Sequence, residues 1–252
     1  MGEQYSNLAS VYDALNVGCD YDKLAMLIDA TIKKYEKTKT SLVLDLACGT
    51  GKLTFLLRLL GYDMTGVDSS EAMLSLARDY AENHDISDVL FLCQDMRSFE
   101  LYGTVDACVS TLDSINYLTK LKDVESCFKL VHNYLIPDGV FIFDVNTPYR
   151  FNEVYGTRDY VLENESALLA WQNDYNKKTK LCKFYLSIFE ENKNGTYSRF
   201  DEVQTEKCYE RKQIEALLKK CGFELLCVYG DTNMKAPEDT DEKWYFVSRC
   251  KK

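Results

Sequence analysis

The fold of this chain is decided by the stretch Val43-Leu44-Asp45-Leu46-Ala47-Cys48-Gly49-Thr50-Gly51. Its first half is an apolar run, which is typical of a strand covered on both faces of a parallel sheet. The two glycines predict a tight turn that a ligand can approach closely. Leucines then recur at helical spacing up to Gly61, which stands where a helix C-cap belongs. The stretch therefore predicts a strand, a glycine turn and a helix.

An acidic residue follows the next predicted strand. That strand covers residues 64–67, and Asp68 comes directly after it. In a nucleotide-binding half-fold, a carboxylate at this place accepts hydrogen bonds from ribose hydroxyls. The alternative role for Asp68 is that of a helix-capping acid ahead of Ser69 and Ser70. We favour the ribose role because the strand–turn–helix unit precedes it.

The glycine turn matches neither of the common phosphate-binding patterns. The dinucleotide pattern G-x-G-x-x-G has Thr54 at its third glycine position, and the Walker pattern needs a glycine where Leu46 stands. Asp45 also lies near the end of the first strand. A carboxylate there disfavours a pyrophosphate and favours a ligand with an ammonium or sulfonium charge. The alternative role for Asp45 is to orient the glycine turn through backbone amides.

A third acidic residue follows the third predicted strand, residues 89–93. Asp95 is a candidate acceptor for the exocyclic amine of an adenine, with Met96 packed on the base. Its alternative role is that of a solvated loop acid. The carboxyl ends of neighbouring parallel strands form the ligand-binding edge of such a sheet. Asp45, Asp68 and Asp95 together therefore predict a site for a cationic adenosine ligand.

These motifs give the chain a clear family resemblance: it resembles the class I S-adenosylmethionine-dependent methyltransferases. The segments that carry the resemblance are Leu44-Asp45-Leu46-Ala47-Cys48-Gly49-Thr50-Gly51, Gly66-Val67-Asp68-Ser69-Ser70-Glu71-Ala72-Met73-Leu74, Cys93-Gln94-Asp95-Met96 and Leu135-Ile136-Pro137-Asp138-Gly139-Val140. The chain is most similar to bacterial small-molecule methyltransferases with an antiparallel insertion late in the sequence. It departs from the family at Asp138, where a glycine often stands, which concerns a turn rather than the cofactor.

The resemblance implies a cofactor and the residues that bind it. The cofactor is S-adenosyl-L-methionine, and its product is S-adenosyl-L-homocysteine. The residues implied in cofactor binding are Tyr12, Asp45, Ala47, Cys48, Gly49, Gly51, Asp68, Ser69, Met73, Asp95, Met96 and Leu112. In-line transfer from the sulfonium to the acceptor is expected, with proximity and alignment as the main catalytic effects.

The catalytic group is not identified by any motif, and Asp113, Tyr117 and Tyr12 are the candidates. Residues 110–117 follow the fourth strand, and by resemblance the early ones border the methyl group. The alternative role for Asp113 is to cap the next helix, and for Tyr12 to anchor a leader segment. Both histidines fall in or after predicted helices, which favours a proximity mechanism or a carboxylate base.

The pattern along the chain predicts one α/β fold with an added sheet. Residues 1–40 are expected to form a helical leader or lid. Residues 41–150 and 210–252 are expected to form a Rossmann-like domain that binds S-adenosylmethionine, with a mostly parallel sheet and an antiparallel last strand. Residues 151–209 alternate in polarity and predict a small antiparallel insertion on the acceptor side. The turn at residues 192–195 predicts a hairpin.

Apolar stripes predict the faces of three helices. They comprise Leu24, Leu27, Ile28 and Ile32 in the leader, then Met73, Leu76, Ala77 and Tyr80, and then Leu121, Val124, Phe128, Val131 and Leu135. The fifth strand is expected at residues 140–145.

Composition restricts the partners. The net charge of −10 disfavours binding to a nucleic acid, and a small-molecule acceptor is expected because the leader and insertion should enclose a pocket. No apolar run is long enough for a membrane span, and the start of the chain lacks a signal-peptide core. The chain is therefore expected in the cytoplasm. Its ten cysteines are expected to be reduced, without a metal site, and the protein to be a monomer or a homodimer.

Three other functions remain compatible with parts of this pattern. One is an enzyme that uses S-adenosylmethionine for a transfer other than methylation. Another is a non-catalytic protein that binds the cofactor. The third is a nucleotide-dependent oxidoreductase, which Thr54 and Asp95 disfavour.

Overall fold

The computed structural model describes residues 19–164 and 167–252, so the predictions for Tyr12 lie outside the described residues. The helices are α1 (Tyr21–Tyr35), α2 (Lys52–Leu59), α3 (Glu71–Asn83), α4 (Leu121–Tyr134) and α5 (Arg211–Lys220). The strands of the larger sheet are β1 (Leu42–Leu46), β2 (Asp63–Asp68), β3 (Leu90–Cys93), β4 (Val105–Ser110), β5 (Leu135–Asn146), β10 (Phe223–Tyr229) and β11 (Lys243–Cys250). The strands of the smaller sheet are β6 (Tyr160–Glu163), β7 (Ala167–Asn176), β8 (Leu181–Glu191) and β9 (Tyr197–Lys207). A 3-10 turn (Ser114–Tyr117) precedes α4, and a short π-helix (Arg150–Tyr155) follows β5.

The larger sheet has seven strands in the order β10-β11-β5-β4-β1-β2-β3. β1 pairs in parallel with β2 and β4, and the parallel pairing continues to β3 on one side and β5 on the other. β11 runs antiparallel to both of its neighbours, β5 and β10. The predicted α/β class, with a mostly parallel sheet and a reversed last strand, is confirmed.

Helices cover both faces of this sheet because its central strands are apolar on both sides. Val43 and Leu44 are adjacent in β1 and point to opposite faces, and both are fully buried. Val43 packs in a cluster with Ile28 of α1, and Leu44 packs in a second cluster with Phe128 of α4. Each such side chain contributes roughly 1.5–3 kcal/mol by leaving water. The two clusters make the core a three-layer sandwich.

The chain crosses from one side of β1 to the other, and this crossing locates the ligand site. β2 lies on one side of β1 and β4 on the other, so the connections that follow β1 and β3 lead the chain in opposite directions. In open α/β sheets, a crevice forms at the carboxyl ends of the strands where the strand order reverses in this way. We therefore expect the functional cleft above the ends of β1 and β4.

The smaller sheet is antiparallel throughout, in the order β6-β7-β8-β9. Its inner face is buried against the π-helix, where Phe151 and Tyr155 contact apolar side chains of β7 and β8. Alternate residues of β8 are buried as predicted, since Phe184 and Ile188 are almost fully covered whereas Tyr185 is 40% exposed. The β8–β9 turn closes through the Asn192 N–H and Thr196 carbonyl at 2.7 Å, which confirms the predicted hairpin.

Two predicted helix faces were wrong in part. Leu76 and Tyr80 of α3 are 37% and 46% exposed, and Leu74 and Ala81 take their place in the buried stripe. Both stripes fit a 3.6-residue period, so spacing alone does not distinguish them. The four residues predicted to form the buried stripe of α1 are all buried, as expected.

The fifth strand begins earlier than predicted. Leu135 belongs to β5 and pairs with Val105, so it lies beyond the end of α4. The next pair along the two strands is Ala107 with Val140, which leaves residues 136–139 as an irregular bulge. Asp138, where the family often has glycine, has a φ of 64° and forms an ion pair with Lys37 at 2.9 Å.

All ten cysteines are free thiols, and six of them are buried. In the part of the chain that the structure describes, no helix is both long and apolar enough to cross a membrane.

Candidate active site

A cleft with two lobes lies above the carboxyl ends of β1, β2 and β4. The main lobe encloses about 810 Å³ of free space with its mouth included, and the adjoining side lobe about 920 Å³. Nine of the predicted cofactor residues line the main lobe, namely Asp45, Ala47, Cys48, Gly49, Asp68, Ser69, Met73, Met96 and Leu112. Asp95 lines the side lobe, and Tyr117 lines both. The fold thus brings most of the predicted residues to one place.

The glycine turn is shaped by hydrogen bonds to the end of β2. Ala47 and Cys48 both donate their N–H groups to the Val67 carbonyl, at 2.7 and 3.1 Å. Ala47 and Gly49 have φ angles of 64° and 56°, in the left-handed region that glycine tolerates best. The backbone therefore doubles back over β2 and leaves its open side toward the cleft.

Asp68 joins the glycine turn to α3. Its carboxylate accepts the N–H groups of Gly49 and Ser70, each at 2.8 Å. Burial raises the pKa of Asp68, although these backbone hydrogen bonds act in the opposite direction. Ser70, rather than Asp68, is the N-cap of α3, because its hydroxyl accepts the N–H of Met73. Asp68 therefore supports the loop while presenting its carboxyl group to the cleft.

Asp45 is almost fully buried at the base of the main lobe. It accepts a hydrogen bond from the Thr54 hydroxyl at 2.6 Å. Burial raises the pKa of Asp45 to about 7, and the nearby Asp68 acts in the same direction, whereas the Thr54 hydrogen bond lowers it. A cationic ligand group in the cleft would favour the ionised form of this carboxyl group. Thr54 entered the sequence argument only as a missing glycine.

Asp95 and Met96 border the side lobe. Asp95 accepts hydrogen bonds from the Arg97 Nε at 2.8 and 3.0 Å, and this contact lowers the pKa of its carboxyl group. Asp95 is therefore anchored within its own loop and is ionised. Met96 lies between the two lobes and offers a thioether and apolar surface to both.

Two predicted residues do not line the cleft. Gly51 is the N-cap of α2 with a φ of 77°, and a side chain there would meet Phe55 and Phe91 behind the cleft wall. Asp113 is not among the cleft-lining residues and forms an ion pair with Lys243 at 2.6 Å. Burial favours the neutral form of Asp113, but Lys243 outweighs burial and holds the pKa below its usual range. This ion pair makes Asp113 a poor general base.

Sequence reasoning missed several residues of the main lobe. Tyr21, Lys52 and Thr111 line it, and the Lys52 ammonium lies 5.3 Å from the centre of the Tyr21 ring. Lys52 follows Gly51 directly, so its position next to the turn was the available signal. Tyr21 is the first residue of α1, and no local pattern connects it to the glycine turn.

Comparison with known proteins identifies the family. Residues 43–139 match the model of a methyltransferase domain. Over 249 residues, the chain is 34% identical to "Putative methyltransferase YqeM" of Bacillus subtilis (strain 168), which covers 98% of each protein. The chain belongs to the S-adenosylmethionine-dependent methyltransferases. Its cofactor is accordingly S-adenosylmethionine, as predicted.

Solved methyltransferases share the whole architecture. An S-adenosylmethionine-dependent methyltransferase from Clostridium acetobutylicum ATCC 824 superposes with a TM-score of 0.88 at 30% identity, covering 98% of this chain and 99% of that one. The sugar N-methyltransferase KedS8 from Streptoalloteichus sp ATCC 53650 has a TM-score of 0.79 at 19% identity, over 100% and 96% of the two chains. These methyltransferases therefore share the α/β fold of the present chain.

Proposed function

We propose that this methyltransferase transfers the methyl group of S-adenosylmethionine to a small-molecule acceptor, and that the acceptor atom is an amine nitrogen. The observation that carries the proposal is the two-lobed cleft with Asp45 and Asp68 at its base and the smaller sheet at its side. Leu181 and Thr205 of that sheet line the side lobe. The extent of the fold likeness to a sugar N-methyltransferase supports an acceptor of that size.

Three carboxyl groups suit the parts of the cofactor. We assign Asp45 to the ammonium and sulfonium end, because its burial makes an uncompensated charge unfavourable without a cation. We assign Asp68 to the ribose hydroxyls and Asp95 with Met96 to the adenine. When bound, the cofactor supplies a methyl group on a positively charged sulfur, which is a good leaving group. Gly49 and Ala47 leave the backbone side of the cleft open for it.

The transfer balances without a cofactor-derived base. A bond forms between the acceptor nitrogen and the methyl carbon, and the electron pair of the broken carbon–sulfur bond stays on sulfur. The nitrogen then loses one proton to solvent. Both histidines lie elsewhere, His84 stacked on Tyr80 and His132 against the Lys251 carbonyl. Because Asp113 is paired with Lys243, an acceptor that loses its own proton near neutral pH fits this cleft better than an alcohol.

Alignment and exclusion of water are the chain's main contributions. Holding two reactants in line can lower the barrier by roughly 7–11 kcal/mol. Leu112 and Tyr117 face the main lobe from the loop after β4, so they are placed to align the acceptor. Tyr117 is held in turn by its hydrogen bond to Gln204 at 2.8 Å.

The proposal is tested by a panel of acceptors with S-adenosylhomocysteine release as the readout. Amino sugars and other small amines should yield product, and hydroxylated analogues of matched size should not. The Asp68→Ala variant gives the background. Turnover of the hydroxyl series alone contradicts the amine assignment, and release of a different adenosyl product contradicts methyl transfer. Tight NADH binding without S-adenosylhomocysteine binding contradicts the cofactor site itself.

A further inference from the structure

The loop between β4 and α4, residues 111–117, has a strained backbone next to the cleft. Leu112 and Asp113 have φ angles of 57° and 58°, the left-handed region that residues with side chains rarely adopt. Leu112 and Tyr117 line the main lobe. Consecutive left-handed residues persist only where the surroundings determine their conformation. The groups that hold this loop therefore control part of the cleft wall.

The core domain holds the loop from behind. The N–H groups of Leu112 and Asp113 donate to the Asp144 carboxylate at 2.8 and 2.6 Å. Lys243 donates to Asp113 at 2.6 Å and lies 3.4 Å from Asp144. All three charged side chains are largely buried, with exposures of 16%, 19% and 1% for Lys243, Asp113 and Asp144.

The smaller sheet holds the same loop from the other side. Glu206 of β9 is 1% exposed, and its carboxyl group is hydrogen-bonded to that of Asp113. It also accepts from the Asn146 amide at 2.9 Å. Two residues earlier in the same strand, Gln204 accepts from the Tyr117 hydroxyl at 2.8 Å. One strand thus contacts the cleft loop at two points.

Two carboxyl groups in direct hydrogen-bond contact must share a proton, because the acceptor oxygens of two carboxylates repel each other. Burial and the adjacent Asp113 raise the pKa of Glu206, against the opposing effects of Asn146 and Arg150. Asp113 stays ionised beside Lys243. The proton therefore resides on Glu206. The polar groups facing this pair are Asn146, Arg150, Tyr155, Cys182, Lys243 and Asp144.

We propose that Glu206 is a positioning residue that holds the cleft loop by donating a shared proton to Asp113, so that the smaller sheet helps to shape the cofactor site. The inference rests on the proposed assignment of the cleft to the cofactor. It predicts that glutamine can replace Glu206, because its amide nitrogen donates to Asp113 and its carbonyl accepts from Asn146. A leucine provides neither contact.

The shared proton is tested through the pH dependence of stability. Above the ordinary pKa of glutamate, the unfolded chain releases the proton that the folded chain keeps on Glu206. Between about pH 6 and pH 8, the unfolding equilibrium constant of the wild type should therefore rise about tenfold per pH unit relative to Glu206→Gln. Equal pH slopes of the two proteins overturn the proposal.

The positioning role is tested by S-adenosylhomocysteine affinity, measured by calorimetry at neutral pH. Glu206→Gln should bind within about threefold of the wild type, and Glu206→Leu about tenfold more weakly or worse. Glu191→Gln, at an exposed site in the neighbouring strand β8, is the matched control. Equal losses for the glutamine and leucine variants, or no loss for leucine, overturn the proposal.

The two proposals fail in different ways. A wild type that does not bind S-adenosylhomocysteine contradicts the function assigned to the cleft, while the pH slopes still decide whether Glu206 holds the proton. If Glu206→Leu does not fold, the affinity and pH slope of the foldable Glu206→Gln variant decide the outcome.

Discussion

The Thr54 hydroxyl donates a hydrogen bond to the Asp45 carboxylate at 2.6 Å, and both side chains are almost fully buried. This contact connects α2 to the end of β1 at the base of the cleft. Burial raises the pKa of Asp45 to about 7, while Thr54 favours the ionised form. The charge at this point therefore changes within the pH range in which the enzyme can be studied.

The affinity for S-adenosylhomocysteine should rise as the pH increases through about 7. The ammonium group of the ligand is best bound when Asp45 is ionised, so binding at lower pH releases a proton. Calorimetry in buffers with different ionisation enthalpies measures this release directly. Asp45→Asn should weaken binding by roughly 10- to 100-fold and abolish the proton release. Proton release that persists in Asp45→Asn assigns the titration to another group.

Stability without the ligand should follow the opposite trend. Because the folded pKa of Asp45 is raised, its contribution is full below the unfolded pKa of about 4 and is lost as the pH rises through about 7. Thr54→Val removes a hydrogen bond that lowers this pKa, so it should move the midpoint of ligand binding to higher pH. Denaturant unfolding and calorimetry across pH 5 to 9 check both trends, taking that range as about two units on either side of 7.

Replacing Asp68 by alanine should weaken S-adenosylhomocysteine binding by about 100-fold or more, because the ribose acceptor is lost and two backbone N–H groups lose their partner. The matched control is Asp63→Ala, at the exposed start of the same strand, which should bind like the wild type. Calorimetry measures both. Equal affinity of the two variants contradicts the ribose assignment.

Local patterns predicted the parts of the site that lie close together in the sequence. The glycine turn, Asp68 and Met96 follow successive strand ends, so strand order alone brings them to one edge. Asp113 shows the limit of such reasoning, because its partner Lys243 is 130 residues away and only the tertiary fold joins them. Glycine patterns likewise did not show that Gly51 faces the core, since that depends on the packing of Phe55 and Phe91.

Lys243 should be essential for stability, because it is the cation between two buried carboxylates. Lys243→Met leaves Asp113 and Asp144 without their ion pair and should lower the free energy of unfolding by about 3–5 kcal/mol. Lys251→Met is the control, since its ion pair with Glu224 is half exposed and should leave the denaturation midpoint almost unchanged. Similar midpoints for the two variants contradict the assignment of Lys243 to the buried network.

Gly66 of β2 should resist substitution because it lies directly behind the glycine turn. An added Cβ would stand 2.7 Å from Phe91 and 2.9 Å from the Cys48 sulfur. Gly66→Ala should therefore cost about 1–3 kcal/mol of stability and, by displacing Cys48, weaken S-adenosylhomocysteine binding. Gly103→Ala adds a Cβ with no atom within 4 Å and is the control. Combining Gly66→Ala with Phe91→Leu should recover part of the stability, measured by denaturant unfolding, whereas equal stability of the two single variants contradicts the steric argument.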